Sequence, residues 1–173
     1  HHLMTADPLE MLEKNIGHRF ANRGILHQAL CHSSFNGAKA SYERLEFLGD
    51  RVLGLLLADY LFAAFPDEDE GSLSLRLHSK ARMSTLAHVA RALRLSDYIQ
   101  SQTGLDIASN DGVMADVVES IMAAIYLDAG LDVARAFLER HWPRTGKTIS
   151  RYEKDPKSCL QEWSLQRGFG LPE

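Results

Sequence analysis

The chain has 173 residues, 45% of them hydrophobic, and a formal net charge of −4. That length supports one good hydrophobic core, and the composition is that of an ordinary globular protein rather than a fibrous or disordered one. Cys31 and Cys159, the 2 cysteines, are too few for a disulfide framework or a zinc cluster, and the 8 histidines include no helical His-x-x-x-His pair beside an acid.

Three further readings bound the ends and the compartment. His1-His2-Leu3 before Met4 reads as an expression-tag remnant, and no secretory pattern precedes the first helix. No apolar run reaches membrane-spanning length without a charge. The acidic balance does not announce a nucleic-acid surface, which is usually basic.

Taken in chain order, nearly every segment has helical period. Pro8 to Ile16 places Leu9, Leu12 and Ile16 on one face, with Asp7 as N-cap and proline at the first helical position. Arg23 to Cys31 is a short helix, and the Asn36-Gly37 segment within Ser33 to Ser41 is a loop. Tyr42 to Phe65 is too long and too free of turn residues for a strand; it predicts a helix ended by Pro66 and buried on most faces. Asp67-Glu-Asp-Glu-Gly71 reads as an acidic turn. Ser72 to Lys80 and Ser84 to Leu93 follow as two helices with basic outer faces.

Leu95 to Asp97 reads as a break, and the polar stretch Thr103 to Gly112 as a loop. Val113 to Leu127 is a helix with little polar surface, and Asp132 to Trp142 an amphipathic one. Pro143 to Lys154 reads as a linker and Pro156 to Gly168 as a last helix. No segment sustains the alternation of a strand, so the predicted class is all-α.

The acids carry the chemistry. On the Tyr42–Phe65 helix, offsets of three and seven place Glu43, Glu46 and Asp50 within an arc of roughly 60°. Carboxylates on so apolar a helix are costly to leave ionised without a partner, and only Arg44 and Arg51 lie nearby. Asp116 and Glu119 stand one turn apart on a second apolar helix. Acids in a first helical turn also simply favour the macrodipole, and Asp116 after Asn110-Asp111-Gly112 admits that reading. Two apolar helices with one-face carboxylates favour an oxygen-loving cation such as Mg²⁺.

Glu43-Arg-Leu-Glu-Phe-Leu-Gly-Asp50 resembles the signature octet of ribonuclease III. Ala115-Asp-Val-Val-Glu119, followed by Ile125-Tyr-Leu-Asp128, is similar to its second acidic motif. Ala29-Leu-Cys-His-Ser-Ser34 is similar to the segment upstream of the octet, and Asp69-Glu-Gly71 to a further acidic element. Asp155 to Glu162 resembles the opening of a double-stranded RNA-binding domain.

The resemblance implies the ribonuclease III endonuclease-domain helical fold, dimeric, over residues 4–142, a linker over 143–154, and the truncated start of the second domain over 155–173. It implies a Mg²⁺-dependent endoribonuclease, with Mn²⁺ substituting, that cuts both strands of double-stranded RNA in the cytoplasm. No small-molecule cofactor or membrane is expected. Glu46, Asp116 and Glu119 are then metal ligands, Asp50 and Glu119 the catalytic pair, and Glu43 and Glu70 supporting acids. Phe47 has two readings, core packing and the two-fold contact between subunits, and the resemblance favours the second. Arg76, His78, Lys80, Arg82, Arg91 and Arg94 form the densest basic region, read either as a solvated face or as a contact for duplex phosphates.

Two departures stand out. Arg51 occupies a position where a small residue is expected, and the loop before the second acidic motif lacks the family's paired glycines. A catalytically inactive RNA-binding member of the fold is the competing class. A helical Mg²⁺ enzyme acting on small phosphate esters would show an Asp-Asp-x-x-Asp cluster, which is missing.

Overall fold

A computed structural model describes residues 7–35 and 40–143. The expected last helix and RNA-binding segment lie outside the described residues, as does all of the expected linker except Pro143. The helices are α1 (Pro8–Ile16), α2 (Arg23–Ala29), α3 (Glu43–Ala64), α4 (Glu70–Ala81), α5 (Met83–Ala92), α6 (Asp111–Ala129) and α7 (Leu131–His141), with a 3-10 turn at Leu95–Asp97. Among the described residues there is no strand, only an isolated parallel bridge between Cys31 and Gln100. None of these helices is long and apolar enough to cross a membrane.

Local chemistry accounts for the helix starts. The Asp7 carboxylate accepts from Leu9 N at 3.0 Å, with Pro8 just inside the helix. Two starts come earlier than the sequence pattern suggests. Asp69 accepts from Ser72 N at 2.9 Å, so α4 begins at Glu70 inside the expected acidic turn. Asn110 accepts from Val113 N at 3.1 Å, so α6 begins at Asp111. Asp and Asn serve turns and N-caps alike, and here the cap wins.

The core is organised round α6, which packs most closely on α3 and α5. Met114, Val117, Val118 and the run Ile121–Ile125 are buried on all sides of it. Ser120 is the polar exception: its hydroxyl donates to Ala29 O on α2 at 2.6 Å and is fully buried. That bond fixes the rotation of α6 one residue past Glu119.

Gly49 fixes the approach of α3. A Cβ built on it would lie 1.7 Å from the backbone carbonyl oxygen of Glu119. The two acidic helices therefore cross with their backbones in contact, at the motif residues themselves. The end of α6 is tied down by Asp128, which accepts from His18 Nε2 at 2.7 Å, Ala21 N at 3.0 Å and Asn22 N at 2.8 Å. This acid of the second motif is a structural clamp.

Two expectations need correction. First, α3 is not buried on most faces: Phe47, Leu55 and Phe62 are 69%, 57% and 75% exposed along one side of it. An apolar helix can be covered by its own chain only where neighbours reach it, and α4, α6 and α7 reach the other sides. Second, the basic region splits. Arg76 turns inward, forms a two-pronged ion pair with Glu68 at 2.7 Å, and stacks 3.8 Å from the Phe65 ring centroid. Lys80 is likewise buried, its ammonium 5.6 Å from the Tyr60 ring centroid. His78, Arg82, Arg91 and Arg94 remain on the outside. The side chains of Arg76 and Lys80 lie along apolar surface at the end of α3, where aromatic faces receive their charge.

Candidate active site

Helix α3 carries Glu46 and Asp50, α6 carries Asp116 and Glu119, and the Gly49–Glu119 contact brings the four together. They meet in two pairs. Glu46 hydrogen-bonds Asp116, and Glu119 hydrogen-bonds Asp50. Asp116 lies beyond the first turn of α6, so an interaction with the helix dipole does not account for it.

The electrostatics follow from crowding and burial. Burial, then the Asp116 charge, pushes the Glu46 carboxyl up to about 7. Burial, then the charges of Asp50 and Glu46, pushes Glu119 up to about 8. Asp116 is also raised, chiefly by burial. A half-buried group of this kind stays ionised only if a positive charge joins it. Among the described residues no lysine or arginine is among the charges that chiefly act on the raised carboxyls; His32 alone acts on Asp116 in the favourable sense. Arg51 lies 3.6 Å from Asp50, the exposed member, with its guanidinium 5.9 Å from the Phe47 ring centroid. Both Arg44 and Arg51 point to solvent.

Among the described residues no three His, Cys, Asp or Glu side chains already form a closed cation cage. The acids instead face one another in two pairs. Their chemistry nevertheless fits Mg²⁺, which takes one or two carboxylates, prefers oxygen to nitrogen or sulfur, and keeps several waters. A cation held there would be bound by these carboxylates in their deprotonated form.

The remaining acids stand apart. Glu43, at the rim, accepts from the Ser41 hydroxyl, which holds its carboxyl below the usual range. Its charge still contributes to raising Glu46 and Asp116. Glu70 sits exposed in the first turn of α4 and is not among the charges that chiefly raise Glu46, Asp116 and Glu119. Two residues absent from the expected site belong to its construction. Gly49 sets the helix contact, and Tyr42 directs its hydroxyl at Asp116 Oδ2, 3.4 Å away. Tyr42 stands four residues before Glu46, on the same helical face, and that spacing was the available signal.

The loop before α6 is braced although it lacks paired glycines. Arg91 donates to Ala108 O at 3.1 Å and to Asp111 Oδ1 at 2.5 Å, and the Ser109 hydroxyl donates to Asp106 at 2.5 Å.

The raised carboxyls predict how stability varies with pH. In the unfolded chain a glutamate ionises near 4.5, whereas folded, metal-free Glu119 keeps its proton to about 8. Below the lower value both states are protonated and the group contributes no difference. Between the two values the unfolded state ionises more readily, so stability falls as pH rises and levels off above about 8. His141, whose imidazole burial holds below 6.5, acts in the opposite sense in the lower part of that window. The measurement is therefore the thermal unfolding of the parent minus that of Glu119→Gln, from pH 4.5 to 8.5. The parent should lose stability relative to the variant across the window, and Mg²⁺ should restore it at the alkaline end. Parallel curves would remove the basis for a raised Glu119.

The fold and site together define a class: an all-α domain whose centre of four carboxylates sits at the crossing of two apolar helices. Comparison with known proteins places it more narrowly. The Ribonuclease-III-like family model matches residues 22–144. Ribonuclease 3 from Brucella canis is 49% identical over 164 residues, covering 91% of this chain and 66% of that protein. The nuclease domain of ribonuclease III from Campylobacter jejuni matches in structure with a TM-score of 0.73 and 33% identity, over 76% of this chain and 94% of that one. That nuclease domain shows structural flexibility in a region involved in dimer formation. Dicer from Giardia intestinalis matches with a TM-score of 0.54 and 25% identity, over 78% of this chain and 21% of Dicer. The chain belongs to the ribonuclease-III-like family, and it spans about two thirds of the length of the curated relatives it matches.

Proposed function

We propose that this chain is the nuclease unit of a Mg²⁺-dependent endoribonuclease that hydrolyses both strands of double-stranded RNA. Products with 5′-phosphate and 3′-hydroxyl ends follow, and structured ribosomal and messenger precursors in the cytoplasm are the natural substrates. The observation that carries this reading is the four-carboxylate centre at the α3–α6 crossing, which holds more negative charge than its surroundings balance.

Glu46, Asp116 and Glu119 hold the cation, and Mn²⁺ replaces Mg²⁺ because both accept carboxylate oxygen. Bound there, a divalent cation supplies an activated water and stabilises charge on the phosphate oxygens. Asp50, the exposed member, faces the substrate side of the centre, and Glu119 would hold the cation as a carboxylate. Glu43 acts from the rim, and Glu70 acts on RNA from the start of α4. The exposed His78, Arg82, Arg91 and Arg94 supply phosphate contacts, and Arg51 beside Asp50 approaches the same backbone.

The exposed row of Phe47, Leu55 and Phe62 supports a homodimer joined through α3. A two-fold contact there covers the row and places two acidic centres on one duplex, one per strand. Phe47→Asp puts a charge into that contact and should shift the chain from dimer towards monomer in sedimentation at micromolar concentration. A parent that sediments as a monomer removes the interface reading.

Incubation of the purified chain with a long RNA duplex tests the function directly. Cleavage of both strands with Mg²⁺, abolished by chelator and restored by Mn²⁺, is the expected result. Binding without cleavage would instead assign the inactive RNA-binding member of the fold.

A further inference from the structure

Tyr42 is built into the protein more firmly than a helix-capping residue requires. Its ring is 4% exposed, its N–H donates to Cys31 O at 3.0 Å, and its carbonyl accepts from Glu46 N at 2.8 Å. The ring packs against His32, centroids 5.8 Å apart and planes tilted by 36°. His32 is fixed in turn. Its Nδ1 accepts from Ser34 N at 3.1 Å and lies 2.7 Å from Ser34 Oγ. A backbone amide can only donate, so Nδ1 is the acceptor nitrogen. Ser34 Oγ accepts from Gln102 N at 3.0 Å, and His32 N donates to Gln100 O at 2.9 Å. Two segments thus frame one imidazole, the imidazole backs one phenol, and the phenol reaches Asp116.

The phenol differs from the other partner of Asp116. Glu46 is itself an acid and a proposed ligand, and once ionised it offers Asp116 no proton. The tyrosine hydroxyl keeps its proton and remains a donor. We propose that Tyr42, backed by His32, is a positioning residue that holds Asp116 Oδ2 and thereby turns the other carboxylate oxygen towards the cation. This rests on the reading of Asp116 as a cation ligand. Hydrogen bonds from an outer residue orient metal ligands in this way, and losing one typically costs ten- to a hundredfold in metal affinity.

The test measures Mg²⁺ binding to the metal-free chain by calorimetry, beside thermal unfolding and the Mg²⁺ dependence of cleavage. Tyr42→Phe removes the hydroxyl and keeps the ring. It should weaken Mg²⁺ binding about tenfold, the lower end of that range, and raise the Mg²⁺ concentration for half-maximal cleavage similarly, with a smaller change in kcat and an unchanged melting temperature. His32→Ala should weaken binding in the same direction. Adding it to Tyr42→Phe should cost less than the sum of the two single changes, because the part of its effect that runs through the hydroxyl is already lost. Asp116→Asn is the control for the site itself. If Asp116→Asn loses Mg²⁺ while Tyr42→Phe binds as the parent does, the positioning role is overturned and the site stands. If both bind as the parent does, the site reading falls with it. A Tyr42→Phe variant that melts earlier at unchanged Mg²⁺ affinity also overturns the proposal, leaving a core-packing ring.

Discussion

Glu119→Gln should reduce duplex RNA cleavage by at least about 10²–10³-fold, the loss expected when one principal electrostatic contact of a reacting centre is removed. The amide keeps the shape of the side chain and discards the charge that balances a cation. The fold should survive, because metal-free Glu119 is already neutral up to about pH 8 and an amide can donate to Asp50 much as the carboxyl does. Loss of cleavage without any fall in melting temperature, and with an unchanged sedimentation profile, is therefore the specific signature. The variant should also fail to bind Mg²⁺ with parent affinity in calorimetry. Cleavage within a few-fold of the parent would end the assignment of Glu119 as an essential ligand.

Gly49→Ala should disturb the same centre without touching a carboxylate. An exposed helical glycine replaced by alanine gains about 1 kcal/mol in intrinsic propensity. Here the added methyl would sit 1.7 Å from Glu119 O and 2.5 Å from Glu119 C, both backbone atoms that no rotamer change can clear. The helices must separate, and overpacking of this kind costs about 1–3 kcal/mol, which outweighs the propensity gain. The separation also pulls Asp50 from Glu119 and Glu46 from Asp116. Misplacement of reacting groups by about 1 Å is enough for a roughly 10²-fold loss of rate. A lower melting temperature, weaker Mg²⁺ binding and slow cleavage should therefore appear together. A variant as stable and as active as the parent would mean that the α3–α6 contact does not set the site.

Local pattern was sufficient for much of the architecture. Helical period, the cap at Asp7, the stop at Pro66 and the absence of strand alternation are properties of neighbouring residues. Each can be read without knowing where the chain goes next. The one-turn spacings of Glu46 and Asp50 and of Asp116 and Glu119 are local too, so both halves of the acidic centre were visible. The pattern alone starts α4 and α6 later than Glu70 and Asp111, because the Asp and Asn residues that cap a helix are the same ones that favour a turn.

Which acids converge was a matter of tertiary structure. Glu43 shares an arc with Glu46 and Asp50 on α3, yet its carboxylate is held at the rim by Ser41, because the partner helix meets α3 at Gly49. Arg76 and Lys80 read as surface charge by type, and turned inward because aromatic rings and Glu68 await them at the end of α3. Tyr42 gained its role from an aspartate on another helix, and the raised carboxyls of Glu46 and Glu119 exist only where two acidic surfaces are pressed together out of water. Sequence by itself determined the elements and the chemical types they carry, since these depend on neighbours along the chain. The tertiary structure decided which of those groups share a site, since burial and charge coupling depend on neighbours in space.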